Sequence, residues 1–328
     1  MSERVHYWSM IKGVAILAVL AIHIPLTNDT NSVLASRQII NFPVAMFMFL
    51  SGFFVKEGTN MWNSVKRLLW PYIIWSGIWC IIIPPQSVLL IISKLLFGGF
   101  SILYFLCVLI QLKLLTPWLL KHIKSEDYRI TKDPLWLITP LYLLSFSLIR
   151  LYAGNEFVKV NEIVPFNHFF PSWLIYYYLG MVCKFKTIKI RPIYALIALM
   201  VSYYLSILVS FWLNDCSSIH NFPYTQSKLT SMLIALSVIM LIYSVRDLGM
   251  KRNILARIGE WSFGIYLLHM PVKMYFQGFI TFAHLRTLNM LYNYPLIKYI
   301  FVLLISSIII TILNHILPSK AMRVLGLQ

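Results

Sequence analysis
Apolar residues run along this chain in long stretches, and short polar segments, most of them basic, separate one stretch from the next. A bilayer core about 30 Å thick is crossed by about 20 helical residues, so a window of that length sets the scale. It predicts ten helices, at residues 11–27, 38–55, 68–90, 101–120, 134–152, 169–183, 192–213, 228–245, 258–280 and 296–317. The stretch 87–97 is short and carries Lys94, which reads as an interfacial or re-entrant piece. Two longer polar and aromatic segments, Tyr152 to His168 and Asn214 to Gln226, would suit an outer surface that contacts a sugar, and equally a pair of caps. No internal repeat relates the two halves, which disfavours the inverted-repeat transporter folds.

Lysine and arginine set the orientation. With the N-terminus inside, the inner segments hold Arg4 and Lys12, then Lys56, Lys66 and Arg67, then Lys121, Lys124, Arg129 and Lys132. The series continues with Lys184, Lys186, Lys189 and Arg191, with Arg246, Lys251, Arg252 and Arg257, and with Lys320 and Arg323. Outer segments hold far fewer, so both termini are expected in the cytoplasm. The first apolar stretch lacks an A-x-A cleavage site and reads as a retained span. The expected architecture is an all-α, polytopic transmembrane bundle of about ten helices, a single membrane-embedded domain over 1–328 with no appended soluble domain.

Composition agrees. Of 328 residues 59% are hydrophobic and 12% charged, about half the charge of a soluble domain, and the mean hydropathy is +0.75. The net charge of +17 follows from inner-loop lysines that satisfy topology and anionic lipid, so nucleic acid is not the expected partner. A polyanionic coenzyme would still find that face attractive. Cys80, Cys107, Cys183 and Cys216 are scattered without a CxxC, which points to reduced packing residues and no metal site.

Against this apolar background the ionisable positions stand out. Lys12 and His23 lie eleven residues apart in KGVAILAVLAIH, within about 20° of one helix face and about 16 Å apart along it. Lys12 is expected at the membrane surface and His23 deep inside, where ionisable groups mark a functional interior. Further on, IGEWSFGIYLLHMPV sets Ser262, Tyr266 and His269 on one face. His269 follows Arg257 by twelve residues, so the two imidazoles are expected at matched depth, about 16 to 18 Å in. A shared site and separate structural hydrogen bonds are both open readings. Ser51 and Gly52 in FLSGFF allow close helix approach, and packing is their favoured role. Lys66 and Arg67, ahead of Pro71, are equally a stop signal and an anion site at a helix start. His122, His168, His220, His284 and His315 read as loop or helix-end residues without a role.

These segments resemble the acyltransferase 3 family of integral-membrane O-acyltransferases, which includes O-antigen, capsule and exopolysaccharide O-acetyltransferases. A basic residue, ten others and a histidine open the family's first helix, here Lys12 and His23, and many members have arginine at the first position. The resemblance continues in order through FPVAMFMFLSGFFV, KRLLWPY, ILYFLCVLIQLKLLTPWL, YYYLGM and WSFGIYLLHMP. It implies transfer of an acyl group, usually acetyl, from acetyl-coenzyme A to a hydroxyl of a glycan or its lipid-linked precursor in a bacterial inner membrane. On that footing His23 is the expected general base or acyl-carrying nucleophile, with Lys12 and His269 beside it in the chemistry. Lys66 and Arg67 are expected on the coenzyme's phosphates, and Ser51 and Tyr266 are expected with them in binding the coenzyme, as positioning or oxyanion donors. A flippase or exporter of lipid-linked sugars is the alternative that the helices and basic loops alone would allow.

Overall fold
The computed structural model describes all residues except 1, 59, 86, 101, 218, 220, 249, 250, 284–289 and 328, so the expectations on His220 and His284 lie outside the described residues. It is 79% helical, with no strand among the described residues. The helices are α1 (Ser2–His23), α2 (Thr30–Ile40), α3 (Pro43–Phe53), α4 (Met61–Ile82), α5 (Val88–Phe97), α6 (Tyr104–Ile123) and α7 (Leu135–Ile163). They continue with α8 (Leu174–Phe185), α9 (Pro192–Cys216), α10 (Leu229–Ser244), α11 (Ile254–Glu260), α12 (Ser262–Phe282), α13 (Pro295–Ile316) and α14 (Ser319–Leu325). The chain forms two compact units, one of Met1–Pro43 and Val245–Gln328, the other of Val44–Ser244.

Among the described residues, seven stretches are long and apolar enough to cross a membrane, including Val5–His23, Thr30–Phe53, Tyr104–Ile123 and Pro295–Ile316. The expected helix at 258–280 is present as α11 and α12, broken at Trp261; α12 stays outside the seven because His269, Lys273 and Gln277 interrupt its apolar run. Several boundaries move for identifiable reasons. The first helix starts at Ser2 and stops at His23, because Pro25 disfavours helical geometry at Ile24. The second divides at Asn41 and Phe42, just ahead of Pro43. The fifth continues to Ile163 through a kink at Gly154 (φ 51°), so most of the expected outer segment from Tyr152 is helical.

In the first unit α1 packs chiefly on α11, and α12 on α13. The α1–α11 crossing brings backbone against backbone. A Cβ at Gly13 would lie 2.1 Å from the Leu255 carbonyl oxygen, and one at Gly259 1.7 Å from that of Ser9. Any side chain larger than hydrogen would force the helices apart. In the second unit α3 and α8 cross the same way, with Gly52 against the Tyr177 carbonyl and Gly180 against that of Phe49. The close-approach reading of Gly52 thus holds, and Gly180 of YYYLGM is its counterpart. The α9–α10 pair is zipped by hydroxyls one turn apart, Ser202 to Ser237 at 3.4 Å and Ser206 to Thr230 at 3.3 Å, and Lys228 Nζ donates to Ser210 Oγ at 2.5 Å. The opposite face of α9 exposes Ile193, Met200, Val201, Leu208 and Trp212, as a lipid-facing wall requires.

Helix α5 spans only about 15 Å and cannot cross a bilayer, which fits the re-entrant expectation for 87–97. A helix end buried in protein needs partners for its last four carbonyls. Here the Gly99 amide bonds Lys94 O at 2.9 Å and the Tyr72 hydroxyl bonds Leu95 O at 2.5 Å. Cys107 Sγ approaches Leu96 O at 3.4 Å, and His168 Nδ1 bonds Phe97 O at 2.8 Å. Since Phe97 O only accepts, His168 carries its hydrogen on Nδ1, and the ring stacks on Tyr104 with centroids 4.9 Å apart. His168 therefore has a structural role that its loop position concealed.

Two outcomes follow from this packing. Gly180→Ala or Gly13→Ala is expected to destabilise the protein by about 1–3 kcal/mol through overpacking, read as a lowered unfolding midpoint in detergent. Burial of His168 holds its pKa down at about 4 against the opposing Phe97 hydrogen bond. The unfolded chain then binds the proton first, so stability is full above about pH 6.5 and falls towards pH 4. His168→Asn is expected to flatten that limb of a stability–pH curve.

Candidate functional site
The first unit builds a two-imidazole site at the end of α1. This helix begins at Ser2, nine residues ahead of the expected start. Lys12 lies about 10 Å inside the apolar span Val5–His23, and His23 is the span's last residue. Side chains from three other helices bond carbonyls of α1, two at its last residues and one six residues before its end. Arg37 of α2 donates to Ile22 O, Lys273 Nζ of α12 donates to His23 O at 2.7 Å, and the Tyr299 hydroxyl of α13 donates to Leu17 O at 2.8 Å. Two cations at a helix C-terminus also complement its macrodipole.

Helix α12 delivers the second imidazole. His269 is fully buried, and its ring centroid lies 5.1 Å from that of His23, with the planes tilted 44°. Its Nδ1 lies 2.7 Å from Tyr266 O and 3.2 Å from Ile265 O. Both are acceptors, so the hydrogen sits on Nδ1 and the lone pair on Nε2. That Nε2 is buried and has no hydrogen-bond partner among the described residues. Ser262 and Tyr266 are buried on the same helix, so the polar stripe faces inward as its spacing predicts, and the Tyr266 ring stands 6.1 Å from His269. The charged side chains that bear on His23 are Arg37 and Lys273, and no carboxylate is among them. The site can take a proton from a hydroxyl at Nε2.

The second unit holds a cationic cavity of about 720 Å³ between α3, α4 and α6. Ser51, Lys56, Arg67, Lys113, Lys121 and Lys124 contribute to its wall. Lys113 Nζ donates to Ser51 O at 3.1 Å and lies 5.3 Å from the centre of the Tyr177 ring, whose hydroxyl is 2.7 Å from Thr116 Oγ1. Lys124 pairs with Glu57 at 2.6 Å on the exposed rim. Of the residues expected on a coenzyme, Ser51 and Arg67 line this cavity. Lys66 is exposed and outside the lining, and Tyr266 belongs to the histidine site of the other unit.

The family model described as an acyltransferase domain, acyltransferase 3, matches residues 5–315, a range that holds both histidines and every cation of the cavity. The chain belongs to the acyltransferase 3 family. No curated protein and no solved structure matches it significantly. This family member is therefore a multi-pass membrane acyltransferase.

Sequence reasoning missed six residues of the two candidate sites, Arg37, Lys273, Lys56, Lys113, Lys121 and Lys124. Arg37 and Lys273 have no motif of their own, and each matters through a carbonyl 15 or 250 residues away. Lys113 and Lys121 were readable as anything basic near a helix end. One signal was present: Lys113 and Lys124 share the spacing of eleven that aligns Lys12 with His23, so they fall on one face of α6.

Proposed function
We propose that the protein transfers an acyl group, in the simplest case acetyl, from acyl-coenzyme A to a hydroxyl of a cell-surface polysaccharide or its lipid-linked precursor. The observation that carries this reading is the buried, unpartnered Nε2 of His269 beside the ring of His23. A neutral imidazole lone pair held in a dry interior is the proton acceptor that a sugar hydroxyl, a poor nucleophile at pH 7, requires. Both termini in the cytoplasm and residence in a bacterial inner membrane belong to the same proposal, because the basic segments then face the coenzyme's compartment.

The chemistry runs through these residues. The acceptor oxygen attacks the thioester carbonyl carbon and forms the new C–O bond while His23, as general base, takes the hydroxyl proton. His269 supplies the second lone pair that orients the hydroxyl or relays the proton. The tetrahedral oxyanion collapses, the C–S bond breaks, and the coenzyme thiolate recovers the proton from the imidazolium, leaving an ester and a free thiol. The Tyr266 hydroxyl is the donor for the developing negative charge, and Lys12, eleven residues before His23 on α1, contributes at longer range through its charge. Within the second unit, Arg67, Lys56, Lys121 and Lys124 form a cationic cavity suited to a coenzyme's phosphates, and Ser51 lines the same cavity.

The test is transfer of label from acetyl-coenzyme A to lipid-linked glycan by the protein in liposomes. His23→Ala is expected to abolish transfer and His269→Ala to slow it by about 10²–10⁴-fold, with the fold intact. Arg67→Gln is expected to raise the KM for the coenzyme and leave kcat nearly unchanged. Wild-type transfer by His23→Ala would sink the assignment, and glycolipid crossing the bilayer without label would turn the reading to a flippase.

A further inference from the structure
The cavity of the second unit runs lengthwise along α6. From that helix Leu109, Lys113, Thr116, Leu120 and Lys124 line it, at spacings of three and four that keep them on one face. At 1.5 Å per residue the lined stretch from Leu109 to Lys124 is about 22 Å long. Charge is distributed unevenly over that length. Lys56, Arg67, Lys121 and Lys124 are exposed, whereas Lys113 is part-buried, about 16 Å along the helix from Lys124. Glu57 pairs with Lys124 and offsets its charge, which leaves Lys56, Arg67 and Lys121 for an anion. On α6 the wall between the two levels is Thr116, Pro117 and Leu120 and carries no charge.

An exposed cluster of cations, an uncharged stretch and one cation further in repeat the profile of an acyl-coenzyme A. Its phosphopantetheine arm is an uncharged chain of about twelve bonds from phosphate to sulfur, and extended at the peptide scale of about 3.5 Å per three bonds it reaches about 14 Å. With the phosphates on the exposed cations, the thioester comes level with Lys113. That side chain is equipped to meet a carbonyl. Of the three hydrogens on its ammonium, one is given to Ser51 O at 3.1 Å, and this is its hydrogen bond among the described residues. The Tyr177 ring, with its centre 5.3 Å away, holds the ammonium from another side without using a hydrogen. Two N–H donors are left for a ligand in the cavity that Lys113 lines.

We infer that Lys113 recognises the thioester: acyl-coenzyme A lies along α6 with its phosphates on the exposed cations, and the Lys113 ammonium donates to the thioester carbonyl oxygen. This rests on the acyl-transfer reading and adds a substrate-selecting residue to it. The thioester carbonyl is the acceptor that the acylated coenzyme has and the free thiol lacks. The same contact therefore favours the substrate over the coenzyme left after transfer, which gives Lys113 no acceptor at that level and leaves the cavity more readily.

Binding to the purified full-length protein in nanodiscs is measured calorimetrically with acetyl-coenzyme A, with free coenzyme A, and with S-ethyl-coenzyme A, a thioether of nearly the same size without the carbonyl. Wild type is expected to bind acetyl-coenzyme A about tenfold more tightly than either of the others, the scale of one hydrogen bond to a charged group. Lys113→Met is expected to abolish that preference and leave the affinity for S-ethyl-coenzyme A nearly unchanged, whereas Arg67→Gln is expected to weaken all three alike. Because Lys113 also bonds α3 and its loss could disturb the packing there, a second measurement uses wild type alone. The carbonyl stretch of isotope-labelled acetyl-coenzyme A is read by infrared difference spectroscopy, and binding is expected to move it below its value in water. Equal wild-type affinity for acetyl- and S-ethyl-coenzyme A, a preference that survives Lys113→Met, or an unshifted carbonyl band would overturn the inference and leave the acyl-transfer reading standing. No binding of any of the three ligands to wild type would instead count against the acyl-transfer reading itself.

Discussion
A backbone carbonyl at the end of a helix has no partner within that helix, and in a bilayer no water replaces the missing donor. The architecture of this protein depends on how that constraint is met. α1 ends on Arg37 and Lys273, Ser51 O near the end of α3 is met by Lys113, and α5 ends on Tyr72, Cys107 and His168. In each case the donor comes from a different helix. Capping therefore ties helices together inside each unit, and it does so at the points where short or broken helices would otherwise be untenable.

The second constraint is that helices in lipid gain nothing from burying one apolar side chain against another, so they associate where backbones can touch. Gly13 with Gly259, and Gly52 with Gly180, supply those contacts as reciprocal pairs. The first crossing fixes α1, which carries Lys12 and His23, against α11, whose chain continues directly into α12 and His269. The second fixes α3 beside α8, so that Ser51 meets Lys113 and Tyr177 sits behind the ammonium. Motif residues that look like loose clusters of small and aromatic side chains are thus the two places where backbone meets backbone.

Much of this was legible in the sequence because lipid enforces simple rules. Run length located the spanning helices, and the stripe of Ser262, Tyr266 and His269 announced an inward face. The pairing of His23 with His269 could be suspected from matched spacing, and the rings do meet; the extent of α1 was not legible, since nine residues of the polar-looking head are helical and Pro25 stops α1 at His23. What stayed hidden were the donors that act across long sequence separations. Arg37 and Lys273 act on carbonyls, a group every residue has, so no side-chain pattern marks their targets. Lys66 shows the converse, for its place beside Arg67 suggested a shared anion site and the structure leaves only Arg67 in the cavity wall.

The capping cations also explain how charge can be kept ready in an apolar protein. A lysine or arginine moved into the interior without a partner loses several kcal/mol of hydration, and pairing it permanently with a carboxylate would leave nothing for a ligand. A neutral carbonyl is an intermediate solution. It offsets part of the desolvation, holds the side chain in one place, and leaves the net charge uncancelled. Lys113 at Ser51 O in one unit, and Lys273 at His23 O in the other, are held in this manner. The contrast is Lys124, which sits on the exposed rim and can afford Glu57 as a true counter-ion because water screens the pair. Carbonyl-held cations inside and carboxylate-paired cations at the rim follow from one electrostatic rule, and that rule places uncancelled positive charge where an anionic substrate would be drawn in.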